Sequence, residues 1–384
     1  MNLDDNGFEL CSNDDLRGEN MNPFQHIDFC NQDQVIDVYY PMCERLVAKA
    51  LTSQKSYITT PSSSSPIAMV CAFDHNVRSS DRAAVGNIQS KCNPSTASEE
   101  EGDDEGNADS KHIMPQVQNP AGIVHADYTK VSAPRRLHDL SNPPKLNDVL
   151  RLKLLAERRN SLLDPTMVDE ALKGERRFAF INVWRSIDAV SPVKNPPLAC
   201  IDSASTTADD LRTFKIHYTD RIGENYFVCP PPSSSTTTTS SNRRQHAWYY
   251  YPDMTIHEGL LLKQWDSMGG FACDGQRDGA MHSNHGGTLD GGGLSTFTIH
   301  SAFIDPSCSD SPPRKSIEVR CVAIWEKKSN SNEFGTGIGS NCNKYEYKVG
   351  SEMDATNIIL LYHPRFLISI AYRIGLARPE NIIN

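Results

Sequence analysis

Apolar residues recur along the chain with two different periods, which divide it into a shorter helical part and a longer β-rich part. Between residues 28 and 51 the apolar positions fall at helical spacing, and a second such segment covers residues 144 to 163. Elsewhere the apolar residues form short runs that are rich in β-branched and aromatic side chains, as strands are. The predicted strands are Ile67–Phe73, Phe178–Trp184, Leu198–Ile201, Tyr226–Val228, Trp248–Tyr251, Leu260–Leu262, Thr296–Phe303 and Ile317–Trp325.

Polar stretches interrupt this pattern and predict disordered insertions at about 93–112, 230–242, 268–293 and 328–343. Many short strands separated by long loops are typical of a sandwich or a jelly roll with one or two helices packed outside. The β segments continue without a linker that would split them. We therefore expect a single domain over residues 1–384, with its core at about 28–327.

Charge and cysteine usage narrow the function classes. The 384 residues carry a formal net charge of -10, and part of the acidity lies in the run at 99–105. Because Lys and Arg are not in excess, we expect no nucleic-acid partner. The 11 cysteines are scattered without a CxxC pair, which favours reduced thiols and a cytoplasmic protein. No secretory signal is visible, and the apolar stretch 358–371 is too short and too polar for a membrane span, so it predicts an amphipathic helix.

A His-x-Asp pair at His125 and Asp127 is the first candidate for metal chemistry. In an extended segment, residues i and i+2 point to the same face, so the imidazole and the carboxylate can reach one ion. On this motif alone, a structural role in a loop or turn is the better interpretation. A second histidine would complete the two-His, one-carboxylate arrangement that marks iron(II) oxygenases.

The segment around His300 changes this balance. His300 lies in an otherwise apolar predicted strand, where a lone histidine is more often part of the core. Arg314 opens the next predicted strand, with Ser316 on the same face. A guanidinium binds a carboxylate through two parallel hydrogen bonds and a hydroxyl adds a third, so this Arg-x-Ser pair resembles the cosubstrate site of 2-oxoglutarate oxygenases. Arg320 is a second candidate for that carboxylate, because it falls on the same alternating face.

Several motifs in the same order resemble the AsaB-like hydroxylase/desaturase family, over about residues 7 to 325. The motifs are Phe73–Arg78, Val124–Thr129, Ile181–Arg185, Pro197–Ala199 with Asp202, Arg221–Glu224 with Tyr226, Trp248–Met254, Leu261–Ser267, His300–Phe303 and Pro313–Arg320. The resemblance implies a double-stranded β-helix (jelly-roll) core with flanking helices and long inserted loops. It implies that His125, Asp127 and His300 bind Fe(II), and that Arg314 with Ser316 binds 2-oxoglutarate.

These expectations define an oxygenase that hydroxylates or desaturates a small organic substrate and releases succinate and carbon dioxide. Two other classes remain open. One is a non-catalytic accessory protein of the same fold, and the other is a hydrolase that holds zinc with the same three residues. The sequence leaves the oligomeric state open, with a homodimer as one option.

Overall fold

A computed structural model describes residues 1–12, 24, 27–53, 65–81, 117–217, 222–230, 245–273 and 294–327. Within these ranges the chain is mainly β. Its strands are β1 (Phe8–Ser12), β2 (Ile67–Ser79), β3 (His125–Ala126), β4 (Phe178–Ser186), β5 (Leu198–Ile201), β6 (Leu211–His217), β7 (Ile222–Val228), β8 (Trp248–Tyr250), β9 (Glu258–Asp266), β10 (Ile299–Ala302) and β11 (Lys315–Trp325).

Helices are few and lie between the strands. They are α1 (Tyr40–Ser53), which follows a helical turn (Gln32–Gln34) and a π-helical turn (Val35–Tyr39), α2 (Ser132–Asp139), α3 (Arg151–Ala156), α4 (Pro165–Leu172) and α5 (Gly270–Cys273), with 3-10 turns at Ser203–Ser205, Ala208–Asp210 and Pro306–Cys308. In the described part of the chain, none of these helices has the length and apolar character that crossing a membrane requires.

The strands form two antiparallel sheets, which we call the major and the minor sheet. The major sheet has the order β1-β9-β4-β11-β2, and the minor sheet has the order β6-β7-β3-β10-β5-β8. From β2 to β5, and again from β8 to β11, successive strands alternate between the two sheets. This alternation is the winding of a double-stranded β-helix, so the predicted fold class is confirmed.

The inner face of the major sheet is apolar at one end and polar at the other. Cross-strand register places Phe180 of β4 opposite Val322 of β11, and Phe180 stacks on Tyr128 inside. Further along the same pair, Asn182 lies opposite Arg320 and Trp184 lies opposite Glu318. Because alternate residues of a strand share a face, these polar residues line the same interior as the apolar ones.

The outer face of the major sheet is covered by α1. This helix buries Cys43, Leu46 and Val47 on one side, at the spacing that the sequence predicts. The aromatic ring of Tyr39 is 1% exposed, and its hydroxyl accepts a hydrogen bond from Arg185 of β4 at 3.0 Å. The helix therefore fixes the sheet that carries the polar inner face.

Residues 1–12 close the other edge of the major sheet, where β1 pairs with β9. Lys263 of β9 is fully buried and forms ion pairs with Asp4 at 3.2 Å and with Asp266 at 3.1 Å. Arg177 pairs with the same Asp266 at 2.5 Å. The Lys263–Asp266 pair is thus part of a buried network that holds the N-terminal segment.

One predicted helix is largely wrong. The segment 144–163 forms turns and only the short α3, although its leucines suggest a longer helix. Leu146 and Leu155 are 65% and 52% exposed, so no continuous apolar face exists. Arg158 adopts φ 54°, which ends the helical path.

The predicted insertions fall mostly outside the described residues. This holds for 93–112, for 328–343, for all of 230–242 except Pro230, and for the predicted C-terminal helix at 358–371. Residues 268–273 open the predicted insertion 268–293 and are described as a turn followed by α5, with Phe271 packed against Phe297. The single-domain boundaries therefore stay a prediction.

Candidate metal centre

The three predicted metal ligands meet inside the β-helix. In the minor sheet β3 pairs with β10, and His125 lies directly opposite His300. Their ring centroids are 4.5 Å apart. Asp127 follows β3, and its Oδ1 lies 3.4 Å from Nε2 of His125. One ligand atom from each of the three residues lies within 4.8 Å of the other two, which is a spacing that a single ion can bridge.

Backbone carbonyls orient both imidazoles. Nδ1 of His125 lies 2.7 Å from the carbonyl oxygen of Ile123, and Nδ1 of His300 lies 3.4 Å from that of Thr298. A carbonyl only accepts, so each Nδ1 is the protonated nitrogen of the neutral ring. The Nε2 lone pairs are then left for a metal, as in metal sites where the second ring nitrogen fixes the tautomer.

The charges at this centre favour a bound cation. Burial lowers the pKa of His300, and the nearby His125 lowers it further. Burial also acts to lower the pKa of His125, but the hydrogen bond and charge of Asp127 outweigh it and raise that pKa. Burial acts against ionisation of Asp127, yet the hydrogen bond from His125 and the charge of His300 hold its pKa well below the usual range. The Asp127 carboxylate is therefore ionised. A second proton on the His125 ring would occupy Nε2, which is the atom at which a metal would bind.

Asp127 is anchored to the major sheet by Asn182. The Nδ2 atom of Asn182 donates to Oδ2 of Asp127 at 3.3 Å and to Oε1 of Glu318 at 2.8 Å. Asn182 is 1% exposed and Glu318 is 7% exposed. One amide thus connects a carboxylate of the metal centre to a second, buried carboxylate, and sequence reasoning missed both Asn182 and Glu318.

The loop after Asp127 is held by hydrogen bonds to β7. Thr129 Oγ1 donates to the side chain of Glu224 at 2.5 Å, and Ser132 Oγ donates to the backbone carbonyl of Glu224 at 2.6 Å. The backbone N–H of Thr129 donates to Ser132 Oγ at 2.8 Å, where α2 begins. These contacts explain why the sequence carries polar residues at 129 and 224, and they fix the path of the chain beside the metal centre.

Arg314 and Ser316 also lie where the sequence places them. Arg314 is 3% exposed, its Nε donates to Ser316 Oγ at 3.1 Å, and its Nη1 donates to the carbonyl of Pro196 at 3.1 Å. Its guanidinium lies 4.9 Å from the ring centroid of Trp184. Among the described residues, no carboxylate forms an ion pair with Arg314. Burial, reinforced by the charge of Arg78, lowers its pKa to about 9, and the charge of Glu318 offsets this lowering only in part.

Arg320, the second candidate for the carboxylate, has partners of its own. Its Nη1 donates to Oδ2 of Asp74 at 2.8 Å, and its Nη2 lies 3.8 Å from Glu318. Burial acts to lower the pKa of Arg320, but the charges of Asp74 and Glu318 outweigh it and raise that pKa. The structure therefore assigns the free guanidinium to Arg314, while Arg320 is neutralised within the protein.

A single cavity joins these groups. It is lined by Arg78, Ala121, His125, Asp127, Trp184, Leu198, His300, Ala302, Arg314, Glu318 and Arg320. The tyrosines of β8 are not among the lining residues, and Tyr249 packs on Phe8 instead, with ring centroids 6.0 Å apart. His75 is not among the lining residues either, and its Nδ1 hydrogen bonds to the hydroxyl of Tyr40 on α1 at 2.8 Å. The HxxH pair at His282 and His285 lies outside the described residues.

The donor set fits a divalent first-row metal. Two neutral nitrogens and one anionic oxygen supply three ligands on one side, which is the two-His, one-carboxylate arrangement and leaves coordination positions open. The fold and this cavity define a double-stranded β-helix protein with a candidate facial metal centre.

The chain belongs to the family described as "Oxidoreductase/YMDC permease-like domain", whose model matches residues 1–157 and 153–324. It is 30% identical over 186 residues to the "Uncharacterized protein in dcmA 3'region" of Methylophilus leisingeri. That match covers 48% of this chain and 65% of the relative, so the chain spans less than two thirds of the curated relative's length.

Remote resemblances to solved structures were also found. The chain is similar to the iron and alpha-ketoglutarate-dependent endoperoxidase NvfI, with 19% identity and a TM-score of 0.47, covering 85% of this chain and 82% of that one. A second structure of that enzyme, in a different conformation, gives 20% identity and a TM-score of 0.46, covering 85% of this chain and 79% of that one.

Proposed function

We propose that this chain is an Fe(II)- and 2-oxoglutarate-dependent oxygenase of the AsaB-like type, which hydroxylates or desaturates a small organic molecule and releases succinate and carbon dioxide. The observation that carries the proposal is one cavity that combines a candidate set of metal ligands with a buried guanidinium. The ligand atoms of His125, Asp127 and His300 lie within 4.8 Å of each other and call for a cation. The buried Arg314, with Ser316 beside it, calls for a carboxylate.

In this proposal each side chain has a defined task. His125 and His300 bind the metal through Nε2, while the carbonyls of Ile123 and Thr298 keep the proton on Nδ1. Asp127 contributes an anionic oxygen and is held by Asn182. Iron(II), when bound, supplies the redox chemistry that activates dioxygen with 2-oxoglutarate as the electron donor. Arg314 and Ser316 bind the distal carboxylate, which orients the 2-oxo acid end towards the metal ligands.

The surroundings of the cavity support this assignment. Trp184, Leu198 and Ala302 supply apolar walls, which exclude water around the reacting groups. No side-chain nucleophile is needed. The resemblance to the AsaB-like family and membership of an oxidoreductase family point to the same reaction class. The choice between hydroxylation and desaturation depends on the organic substrate.

The direct test is formation of succinate by the purified protein. We expect succinate to form only when both Fe(II) and 2-oxoglutarate are present, and His300→Ala to abolish it. His138→Ala is the matched control, because His138 is exposed at the end of α2. If the zinc-loaded protein hydrolyses an organic substrate without 2-oxoglutarate, the protein is the zinc hydrolase instead. Failure of the wild-type protein to bind stoichiometric iron would favour the accessory protein.

A further inference from the structure

A second guanidinium, that of Arg78 on the edge strand β2, lines the candidate cosubstrate cavity beside Arg314. Arg78 lies near the end of β2, and the register of β2 with β11 makes it the direct cross-strand partner of Ser316. Side chains of directly opposed residues lie on the same face of a sheet. Arg78 therefore flanks the hydroxyl to which Arg314 donates, and both arginines line the cavity of the metal centre.

Arg78 resembles Arg314 in its partners. Its Nη1 donates to the backbone carbonyl of Asn119 at 2.8 Å, in the segment that continues to Ala121 on the cavity wall. In the described part of the chain, no carboxylate forms an ion pair with either arginine. Arg320 differs, because Asp74 and Glu318 surround it. Two neighbouring guanidiniums that lack a carboxylate repel each other, and this repulsion contributes to the lowered pKa of Arg314.

The charges around the cavity support an anion shared by these two groups. Among the described residues that line it or pair with its lining, three guanidiniums (Arg78, Arg314 and Arg320) face three carboxylates (Asp74, Asp127 and Glu318). The protein groups are thus neutral in sum, and a divalent metal leaves two positive charges. A dicarboxylate supplies two negative charges, one end at the metal ligands and the other at the unpaired arginines.

We propose that Arg78 is a cosubstrate-binding residue that holds the distal carboxylate of 2-oxoglutarate together with Arg314. The inference deepens the proposed function and rests on it. Arg314, directly before β11, is anchored by Ser316 and the carbonyl of Pro196, and Arg78 of β2 is anchored by the carbonyl of Asn119, so separate contacts fix the two cations. A carboxylate between them accepts charge-assisted hydrogen bonds from both sides.

The test compares two ligands that differ only at the distal end. Manganese(II)-loaded protein is titrated calorimetrically with 2-oxoglutarate and with 2-oxopentanoate, in which a methyl group replaces the distal carboxylate. We expect Arg78→Met to weaken 2-oxoglutarate binding about tenfold or more and to leave 2-oxopentanoate binding within about twofold of the wild type. Arg78→Gln keeps an N–H donor for Asn119 and serves if the methionine variant does not fold. Arg212→Gln is the control, because Arg212 is exposed on β6 and donates to the backbone carbonyls of Asp209 and Leu211.

Shared binding also predicts coupling between the two arginines. In an Arg314→Met background, the further loss caused by Arg78→Met should be smaller than in the wild type, because both changes remove the same interaction. Equal weakening of both ligands by Arg78→Met would show a structural effect and overturn the inference, as would unchanged binding of 2-oxoglutarate. If the wild-type protein binds 2-oxopentanoate and 2-oxoglutarate equally, or binds neither, the proposed function itself fails and this inference fails with it.

Discussion

At the scale of single residues, Asn182 supports a candidate metal ligand, Asp127, without being a candidate ligand itself. It lies between Asp127 and Glu318, two carboxylates that would otherwise face each other across a buried space. Its amide nitrogen donates one hydrogen bond to Asp127 and another to Glu318, which restricts the orientation of the Asp127 carboxylate. Hydrogen bonds of this kind orient metal ligands, and their loss typically weakens metal affinity by about 10- to 100-fold.

We therefore expect Asn182→Leu to weaken Mn(II) binding about tenfold or more, while the protein stays folded. Titration calorimetry of the metal-free protein measures the dissociation constant directly. Asn142→Leu is the control, because the Asn142 amide hydrogen bonds to His138 at the end of α2, away from the cavity. An Asn182→Leu protein with wild-type metal affinity would show that Asp127 does not need this support.

His75 gives a prediction about acid stability. It is 2% exposed, and burial lowers its pKa from the usual 6.5 to about 4. The unfolded chain then binds more protons than the folded protein between these values, so stability falls as the pH drops from about 6.5 to about 4. The linkage amounts to about 2 kcal/mol between pH 7 and pH 5.

Replacing His75 by glutamine should remove most of this pH dependence. Urea unfolding of the wild type and of His75→Gln at pH 7 and pH 5 measures it. The expected result is that the variant loses about 2 kcal/mol less than the wild type over this interval. Identical pH dependence in the two proteins would mean that His75 takes up its proton without unfolding.

At the scale of elements, β1 and the residues before it form a strap across the open edge of the major sheet. Gly7 is the tightest point of this strap. Its φ is +90°, and its carbonyl accepts hydrogen bonds from the backbone N–H of Lys263, at 2.8 Å, and from the hydroxyl of Thr298. An added Cβ atom would lie 2.7 Å from Thr298 Oγ1 and 2.8 Å from Ser295 Oγ.

Gly7→Ala should therefore lower the free energy of unfolding by about 2 kcal/mol or more, because backbone strain and steric overlap act together. Gly174→Ala is the matched control, since Gly174 also has positive φ (77°) but lies exposed after α4. We expect the control to lose only about 1 kcal/mol. Urea unfolding measures the free energy of unfolding of both variants. Equal losses of stability would mean that the N-terminal segment moves to accommodate the added Cβ atom without further destabilisation.

The strands and helices also show which elements the hydrophobic periodicity of the sequence predicts correctly. The strands β4, β5, β9, β10 and β11 are predictable because their apolar runs are buried on both faces, as the continuous burial of β4 shows. The strands β1 and β6 were missed, and their mixed polar sequences are explained by their places at the edges of the two sheets. The helix predicted for 144–163 is wrong because apolar residues do not always mark a buried face. Leu146 and Leu155 are apolar but exposed.

The geometry of the candidate site is predictable where local alternation determines it. His125 and Asp127 are two residues apart, as are Arg314 and Ser316, and an extended chain turns each pair to one side. That His125 lies opposite His300 depends on a pairing between distant strands, which local spacing does not encode. The same is true of Asn182, Glu318 and Arg78, whose roles arise only from cross-strand register.

At the scale of the whole molecule, a metal should stabilise the fold and do so less at acid pH. The candidate ligands lie on β10, on β3 and directly after β3 in the minor sheet, and Asn182 of the major sheet binds Asp127, so an ion would hold both sheets together. A ligand at about 100 times its dissociation constant adds about 2.7 kcal/mol of stability. Because Asp127 raises the pKa of His125 above 6.5, a proton competes with the metal for this imidazole below neutral pH.

The rise in Tm caused by Mn(II) should consequently be larger at pH 8 than at pH 6. The apparent dissociation constant for Mn(II) should increase at least roughly threefold when the pH is lowered from 8 to 6. Differential scanning calorimetry at both pH values, with and without the metal, provides the measurement. His300→Ala should show little stabilisation at either pH, because its site has lost a ligand. A rise in Tm that is independent of pH and persists in His300→Ala would place the bound metal elsewhere on the molecule.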